Sequence, residues 1–332
     1  MGPRVTITDV ARKAGVSTAT VSKVINERYG VASGTTSHVQ AVIAELGYES
    51  SLVARSLRSH KTNVIGILVA EFEPFSAEIL KGASLGLGDS GYALLAYTGG
   101  QLTGGVGWER RYLSRLSGTL IDGAVLVTPT VLEADAGVPV VAIDPHAGPS
   151  GLPTVDSDNL TGAVQAVEHL LGLGHRRIGF IGGRSDLESS RLREAGYRKA
   201  LTDAGIAVDP GLMREGDYRK DSTHEPAREL LTLPERPTAI FAANDLSAIG
   251  TLEIAQELGL QVPGEISIIG FDDIPESTLT TPALSTVHQP IQQMGAAAIA
   301  LLITLMDGGP VEQTHIQLVT SLVERGSTAP PR

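Results

Sequence analysis

The hydrophobic pattern changes its period near residue 62. Up to that point apolar residues recur at helical spacing: Val10, Ala11 and Ala14, then Val21, Val24 and Ile25, then Val39, Val42, Ile43 and Leu46. Thr6 and Asp9 have the spacing of a capping box, which predicts a first helix running through Ala14. Gly15 breaks it, since glycine tolerates a positive φ. Ser17 is then a natural N-cap for a second helix over about 18–26. A third helix is predicted over about 35–46, stopped by Gly47. Two short helices with small apolar faces joined by a glycine turn make a helix-turn-helix.

Beyond residue 62 short β-branched runs alternate with helical stretches. Residues 64–70, 93–97, 123–127 and 138–143 read as buried strands, and 75–90, 108–116 and 159–173 as helices. The alternation restarts with strands at 177–182, 239–242 and 266–270. Such alternation implies parallel sheets covered on both faces, and two series imply two lobes with a cleft between them. The fold class expected is a small all-α helix-turn-helix headpiece plus an α/β two-lobed body.

Charge sharpens this division. The 332 residues carry a net charge of −11. Residues 1–61 nevertheless hold eight Lys/Arg against four acids, a net +4, and the remaining 18 basic and 33 acidic residues make the body −15. A basic head on an acidic body suits a protein that touches nucleic acid with one end. Thr18, Ala19, Ser22 and Lys23 fall on one outward face near the start of the second helix, where small and polar side chains can approach base edges. The segment Leu52-Val-Ala-Arg-Ser-Leu-Arg-Ser59 is too short to be stable as an isolated helix but could fold where two copies pack against DNA. Leu57 between Arg55 and Arg58 suits an apolar wedge flanked by phosphate-seeking charges.

In the body, polar residues follow the predicted strands, where open α/β sheets bind ligands. Asp144 follows 140–143, Asn244-Asp245 follow 240–243, Asp272-Asp273 follow 268–271, and Arg191 and Arg193 open the helix after Gly182-Gly183. Carboxylates, an amide and a guanidinium from separate strands can take adjacent hydroxyls of a polyol in bidentate fashion. Phe75 could stack on the apolar face of a sugar ring. The ordinary alternative for each Asp or Asn is capping of the next helix; capping or interlobe contact is the role expected for Asp245 and Asp273. Trp108 reads as helix packing or a cleft stacker, and His175 as a surface or capping residue.

The headpiece, the Val-Ala-Arg-Ser-Leu hinge and the Val64-Ile-Gly-Ile-Leu-Val69 strand together resemble the lactose-repressor/galactose-repressor family of transcription factors, over essentially the whole chain. The resemblance implies a homodimer on double-stranded, palindromic operator DNA, with a periplasmic-binding-protein type I-like body that takes a small-molecule effector, a sugar by expectation. It implies base reading by Thr18, Ala19 and Lys23, phosphate contacts or caps at Thr6, Ser17, Ser22 and Asn26, and wedging by Leu57; Thr20 joins the DNA-binding set. Arg193, Asn244 and Asp272 match the family's effector positions in Ser-Arg-Leu-Arg-x-Ala-Gly-Tyr, Ala-Asn-Asp and Gly-Phe-Asp-Asp; Phe75 and Asp144 match less specifically. It further implies domains at 1–50 (headpiece), 51–62 (hinge) and 63–332 (body), with one lobe from 63–159 and 290–318 and the other from 160–289 and 319–332. Two positions depart from the family: Ala32 stands where Ser is usual and Thr36 where Arg is frequent, which removes a phosphate-seeking charge.

An enzyme is not expected. Gly86-Leu-Gly-Asp-Ser-Gly91 is a literal dinucleotide motif, but it ends a helix instead of opening one, so Gly91 reads as a helix-terminating residue. No nucleophile elbow, zinc-protease motif or phosphate loop occurs, and no cofactor is expected. There is no cysteine, hence no disulfide or thiolate metal site. Without an N-terminal apolar signal region or a membrane-length apolar run, the chain reads as cytoplasmic, without a membrane partner. A transport or chemotaxis sugar-binding protein is the alternative that shares the body, and it should lack the headpiece. Pentoses, hexoses, disaccharides and a purine or nucleoside all fit the expected pocket, and inducer and corepressor are both open. The ending Gly326–Arg332 carries no leucine heptad, which points to a dimer and not a tethered tetramer.

Overall fold

The computed structural model describes residues 5–25, 29–48, 61–99, 107–130, 137–149 and 151–332. Asn26 and the predicted hinge with Arg55, Leu57 and Arg58 lie outside the described residues. The chain divides into two compact units, an N-terminal headpiece and a body holding nearly everything from Asn63 onward.

Three helices build the headpiece: α1 (Ile7–Ala14), α2 (Thr18–Ile25) and α3 (Ser33–Leu46). The capping box at α1 forms, with the Asp9 carboxylate accepting from the Thr6 N–H at 2.9 Å and the Thr6 hydroxyl at 2.6 Å. These bonds hold the Asp9 carboxyl below its usual pKa. Gly15 takes φ 67° and Gly47 φ 59°, the left-handed values that end α1 and α3. The Ser17 hydroxyl accepts from the Thr20 N–H at 3.1 Å and caps α2. Val10, Val21, Val39 and Val42 form the centre of a small core.

Helix α3 starts two residues before the predicted position, and its N-cap is Ala32, which offers no side-chain hydrogen bond. The departure at Ala32 is therefore a missing cap. Ala32 already has extended backbone angles (φ −63°, ψ 144°), so Ala32→Ser should stabilise the headpiece by about 1 kcal/mol. Thermal unfolding of the two full-length proteins checks this; an unchanged or lowered headpiece transition would refute it.

In the body, the chain runs β1 (Val64–Val69), α4 (Pro74–Leu87), β2 (Ala93–Thr98), α5 (Trp108–Leu116), β3 (Gly123–Val127), β4 (Val140–Ile143), β5 (Thr154–Ser157) and α6 (Asn159–Gly172). It continues β6 (Ile178–Gly182), α7 (Glu188–Asp203), β7 (Met213–Glu215), α8 (Lys220–Leu231), β8 (Ala239–Ala242), α9 (Asp245–Glu257) and β9 (Ser267–Ile269). It ends with β10 (Thr286–His288), α10 (Ile291–Met306), β11 (His315–Leu318) and β12 (Ser321–Val323).

Two parallel sheets result, one in the order β11-β5-β4-β3-β1-β2 and one in the order β7-β6-β8-β9. Central strands such as β1, β3, β4, β6 and β8 are buried along their whole length, which is why they read as unbroken apolar runs. One core packs α4 and α10 against the first sheet; two others cover the opposite faces of the second. The small antiparallel ribbon β10–β12 was not expected from the pattern.

The glycine-rich stretch 82–91 resolves into helix packing. Gly82, Gly86 and Gly295 let α4 and α10 approach until their backbones touch: a Cβ on Gly82 would lie 1.9 Å from the Gln292 carbonyl oxygen. Helix α4 ends at Leu87, three residues before the prediction, and its C-cap is Gly88, not Gly91.

Candidate functional site

The carboxyl ends of both sheets face a common cleft with a cavity of about 660 Å³. From the first sheet, β1 leads to Glu71, Glu73 and Phe75, β3 to Thr128 and Thr130, and β4 to Asp144 and His146. From the second, β6 leads to Ser189, Arg191 and Arg193, β7 to Tyr218 and Arg219, β8 to Asn244, and β9 to Asp272. The five body residues singled out by sequence, Phe75, Asp144, Arg193, Asn244 and Asp272, all line this one cavity. Phe75 also packs against the first lobe's core.

Arg193 is the hub. It is 3 % exposed, donates from Nε to Asn159 Oδ1 at 2.8 Å and from Nη1 to Asp272 Oδ1 at 3.1 Å, and also reaches the Ala243 carbonyl. Its guanidinium lies 3.8 Å from the centroid of the Phe271 ring. Gln289 donates from Nε2 to the same Asp272 oxygen at 2.6 Å and accepts from the Ser157 hydroxyl, while Asn159 donates to the Ser157 carbonyl at 3.1 Å. The bonds close a ring, Ser157–Gln289–Asp272–Arg193–Asn159, through buried residues. It ties the segments after β5 and β10, where the chain passes between sheets, to two side chains of the cleft wall.

Asn244 caps the next helix and also lines the cleft. Its Oδ1 accepts from the Ser247 N–H at 3.0 Å and caps α9, while its Nδ2 donates to the Tyr218 carbonyl in the cleft wall. Arg191 and Arg193 do not open α7, which begins at Glu188; they sit in its first two turns. Asp245 is not a cap: its buried carboxylate holds the Ile274 N–H and the Thr286 hydroxyl. Asp273 accepts from Arg325 and pairs with His288. His175 is neither at the surface nor a cap; it is buried, bonded to Thr238, Ser267 and the Ala329 carbonyl. Trp108 is buried in the cleft wall, edge-on to Tyr112 at 6.0 Å, so packing and cleft exposure coexist.

Strain marks the same place. Among the described residues six non-glycine residues have positive φ, and four of them, Thr128, Asp144, Tyr218 and Asp272, line the cleft. Such backbone costs of order 1–3 kcal/mol per residue and concentrates at ligand clamps.

Burial also shifts the carboxyls. Asp272 is pushed up to about 7 and Asp144 to about 6, in both cases by desolvation, which the Arg193 charge only partly offsets. Both values lie above the ordinary 3.8 of the unfolded chain, so the folded state binds extra protons between about pH 4 and 7. Their contribution to stability is full at low pH and is lost as pH rises through 6 to 7. The ligand-free protein should therefore lose melting temperature from this source between pH 5 and 7.5, and Asp272→Asn should lessen the loss. Melting curves of both proteins across that range check it; identical pH slopes would contradict it.

In the headpiece, Thr6, Ser17, Thr18, Ala19 and Lys23 are exposed and Thr20 and Ser22 half-buried, while Val21 and Val24 fill the core. The exposed face of α2 thus carries Thr18, Ala19 and Lys23. Thr20 Oγ1 lies 3.0 Å from the Ser17 hydroxyl, so it extends the cap.

Residues 6–51 match the bacterial regulatory proteins of the lacI family, and residues 167–328 match a periplasmic binding protein-like domain. The chain is 37% identical over 335 residues to the ribose operon repressor of Escherichia coli (strain K12), covering 97% of this chain and 99% of that one. The chain belongs to the lacI family of bacterial regulatory proteins. It is 35% identical over 333 residues to the HTH-type transcriptional repressor PurR of Erwinia tasmaniensis, covering 98% and 97% of the two chains. The lac repressor dimer bound to operator and the anti-inducer ONPF superimposes with a TM-score of 0.84 at 29% identity, covering 98% of this chain and all of that one. As a member of this family the chain is a DNA-binding transcriptional regulator, not an enzyme.

Sequence reasoning missed Glu73, Tyr218, Asn159 and Gln289. Glu73 before Pro74 was a readable N-cap signal, and the Pro at the first helical position supports it. Tyr218 follows a strand of three residues with half-exposed, polar character, which leaves no period to detect. Gln289 meets Ser157 across 132 residues of chain, and nothing local announces that.

Proposed function

We propose that this chain represses genes for the use of a simple sugar. It binds a palindromic operator as a homodimer and leaves it when the sugar occupies the cleft. The observation that carries the sugar reading is the buried Arg193–Asp272 pair, set with Asn244, Asp144 and Phe75 around one cavity at the carboxyl ends of two sheets. Carboxylates only accept and guanidinium only donates, so together they fix the direction of each hydroxyl in a polyol. The 37% identity to a ribose operon repressor supports a pentose as the first candidate.

On this reading Thr18, Ala19 and Lys23 read bases, with Thr6, Ser17, Thr20, Ser22 and Asn26 at phosphates or caps and Leu57 as the wedge. Residues 1–50 form the DNA-binding domain, 51–62 the hinge, and the lobes 63–159 with 290–318 and 160–289 with 319–332 take the effector. The protein acts in the cytoplasm, where operator DNA is; among the described residues no helix is long and apolar enough to cross a membrane. The ring through Ser157 and Gln289 supplies a physical link: a ligand that engages Asp272 and Arg193 perturbs the segments that set the angle between lobes. An inducer must favour the arrangement that does not bind operator.

Footprinting on the chain's own promoter at fixed salt tests the proposal, with free pentoses, hexoses and purine bases added in turn. A protected palindrome that Leu57→Ala weakens, released by one sugar, supports it. Release by a purine base alone would replace the sugar with a base as effector, and no site-specific protection would remove the proposal.

A further inference from the structure

The cleft discriminates by charge as well as by shape. Six carboxylates line it among the described residues against four guanidiniums, and burial lowers the pKa of His146, which keeps that ring neutral. Each of the four cations is already committed. Arg193 pairs with Asp272, Arg184 with Asp186 at 2.7 Å, Arg191 with Glu188 at 2.6 Å, and Arg219 with Glu71 at 2.6 Å.

The N-terminus of α4, a 14-residue helix whose first amides face the cleft beside Phe75, would also welcome an anion. That place is filled from within. Glu73 accepts from the Phe75 N–H at 2.8 Å, the Ser76 N–H at 2.7 Å and the Ser76 hydroxyl at 2.5 Å. Its charge is close enough to Asp272, across the cleft, to disfavour ionisation there.

We propose that Glu73 is a specificity residue: a built-in anion that reserves the cleft for uncharged sugars and excludes their phosphate esters. This rests on the reading that the cleft takes a sugar. Free hydroxyls donate to Asp144 and Asp272, whereas a phosphate brings only acceptors and up to two negative charges into a wall with more carboxyl groups than guanidiniums. At any of the four guanidiniums the ester must break an existing ion pair, and at the start of α4 it must displace Glu73 from its three donors. The protein then senses a sugar before phosphoryl transfer, and the kinase-type reaction that phosphorylates it removes the signal.

Calorimetric titration of the full-length protein tests this with ribose, glucose and galactose, the matching ribose 5-phosphate, glucose 6-phosphate and galactose 6-phosphate, and inorganic phosphate. Trp108 fluorescence gives a second readout, since the chain's one tryptophan lines the cleft. The free form of one sugar is expected to bind at least roughly 100-fold tighter than its ester. Glu73→Gln, which removes the charge and keeps the shape, should narrow that ratio about ten-fold. Glu73→Ser keeps a good N-cap, so it should also fold, and it frees space at the helix end; the ratio should narrow further. An ester that binds wild type as well as the free sugar overturns the proposal, as does a ratio unchanged in both folded variants. Binding of neither form of any sugar instead removes the sugar reading, and this inference with it.

Discussion

Arg193→Ala is expected to abolish the response to sugar and to destabilise the body by about 3 kcal/mol, the low end for breaking a buried ion pair. The guanidinium is nearly inaccessible, and its removal leaves Asp272 and Asp144 without their compensating charge. The cost stays near the low end because Asp272, already pushed up to about 7, can take a proton once its partner is gone. The ring to Asn159 and the Ala243 carbonyl also opens, so the crossover segments lose their tie to the cleft. Arg193→Lys keeps the charge but not the fork or the stacking on Phe271, so it should restore part of the stability and little of the sugar response. Denaturant unfolding and sugar titration of the three proteins check this. Full sugar response in Arg193→Ala would mean that the hub of the site has been misassigned.

Gly82→Ala should damage the body about as severely, without touching the cleft. The added Cβ would overlap the Gln292 carbonyl, a backbone atom that no rotamer change can move. Separating α4 from α10 loosens the core made with Ile79, Ala83, Met294 and Ala298, at a cost of about 3 kcal/mol or more. Gly295→Ala meets the Ile79 carbonyl oxygen at 2.3 Å and should behave alike, whereas Gly88→Ala, at a cap with open space around it, should be milder despite φ 45°. Melting curves rank the three; equal, small losses would show that the helices can slide apart cheaply.

These two sites show what the chain reveals about itself and what it withholds. The headpiece was legible because its signals are local: Thr6 with Asp9, Gly15, and Ser17 each act within four residues. Strands β1, β3, β6 and β8 were legible because burial on both faces demands unbroken apolar runs. Strand β5, Thr154–Ser157, carries a buried Asp156 paired with His315 and looks like a loop in sequence; β7 and β11 are short and half-exposed at sheet edges. Asp144, Asn244 and Asp272 were found because each directly follows a strand, a position that chemistry favours in any such sheet, whereas Arg193 and Phe75, near the starts of helices, were found by family resemblance and residue type. Their partners were not: Gln289, Asn159 and Tyr218 gain their meaning from contacts made across long stretches of chain. Gly86 opens a dinucleotide-like motif and Gly82 lies four residues before it, yet the role of both is set by a helix two hundred residues away.

A small molecule in the cleft, held by Arg193 and Asp272, is expected to govern operator binding. Equilibrium binding of the full-length protein to its operator, with and without the sugar that binds it, tests this most directly when Asp272→Asn is measured beside wild type at the same salt. The sugar should weaken operator binding by wild type and have little effect on Asp272→Asn, while both bind the operator equally without sugar. Equal release of both proteins by the sugar would contradict it.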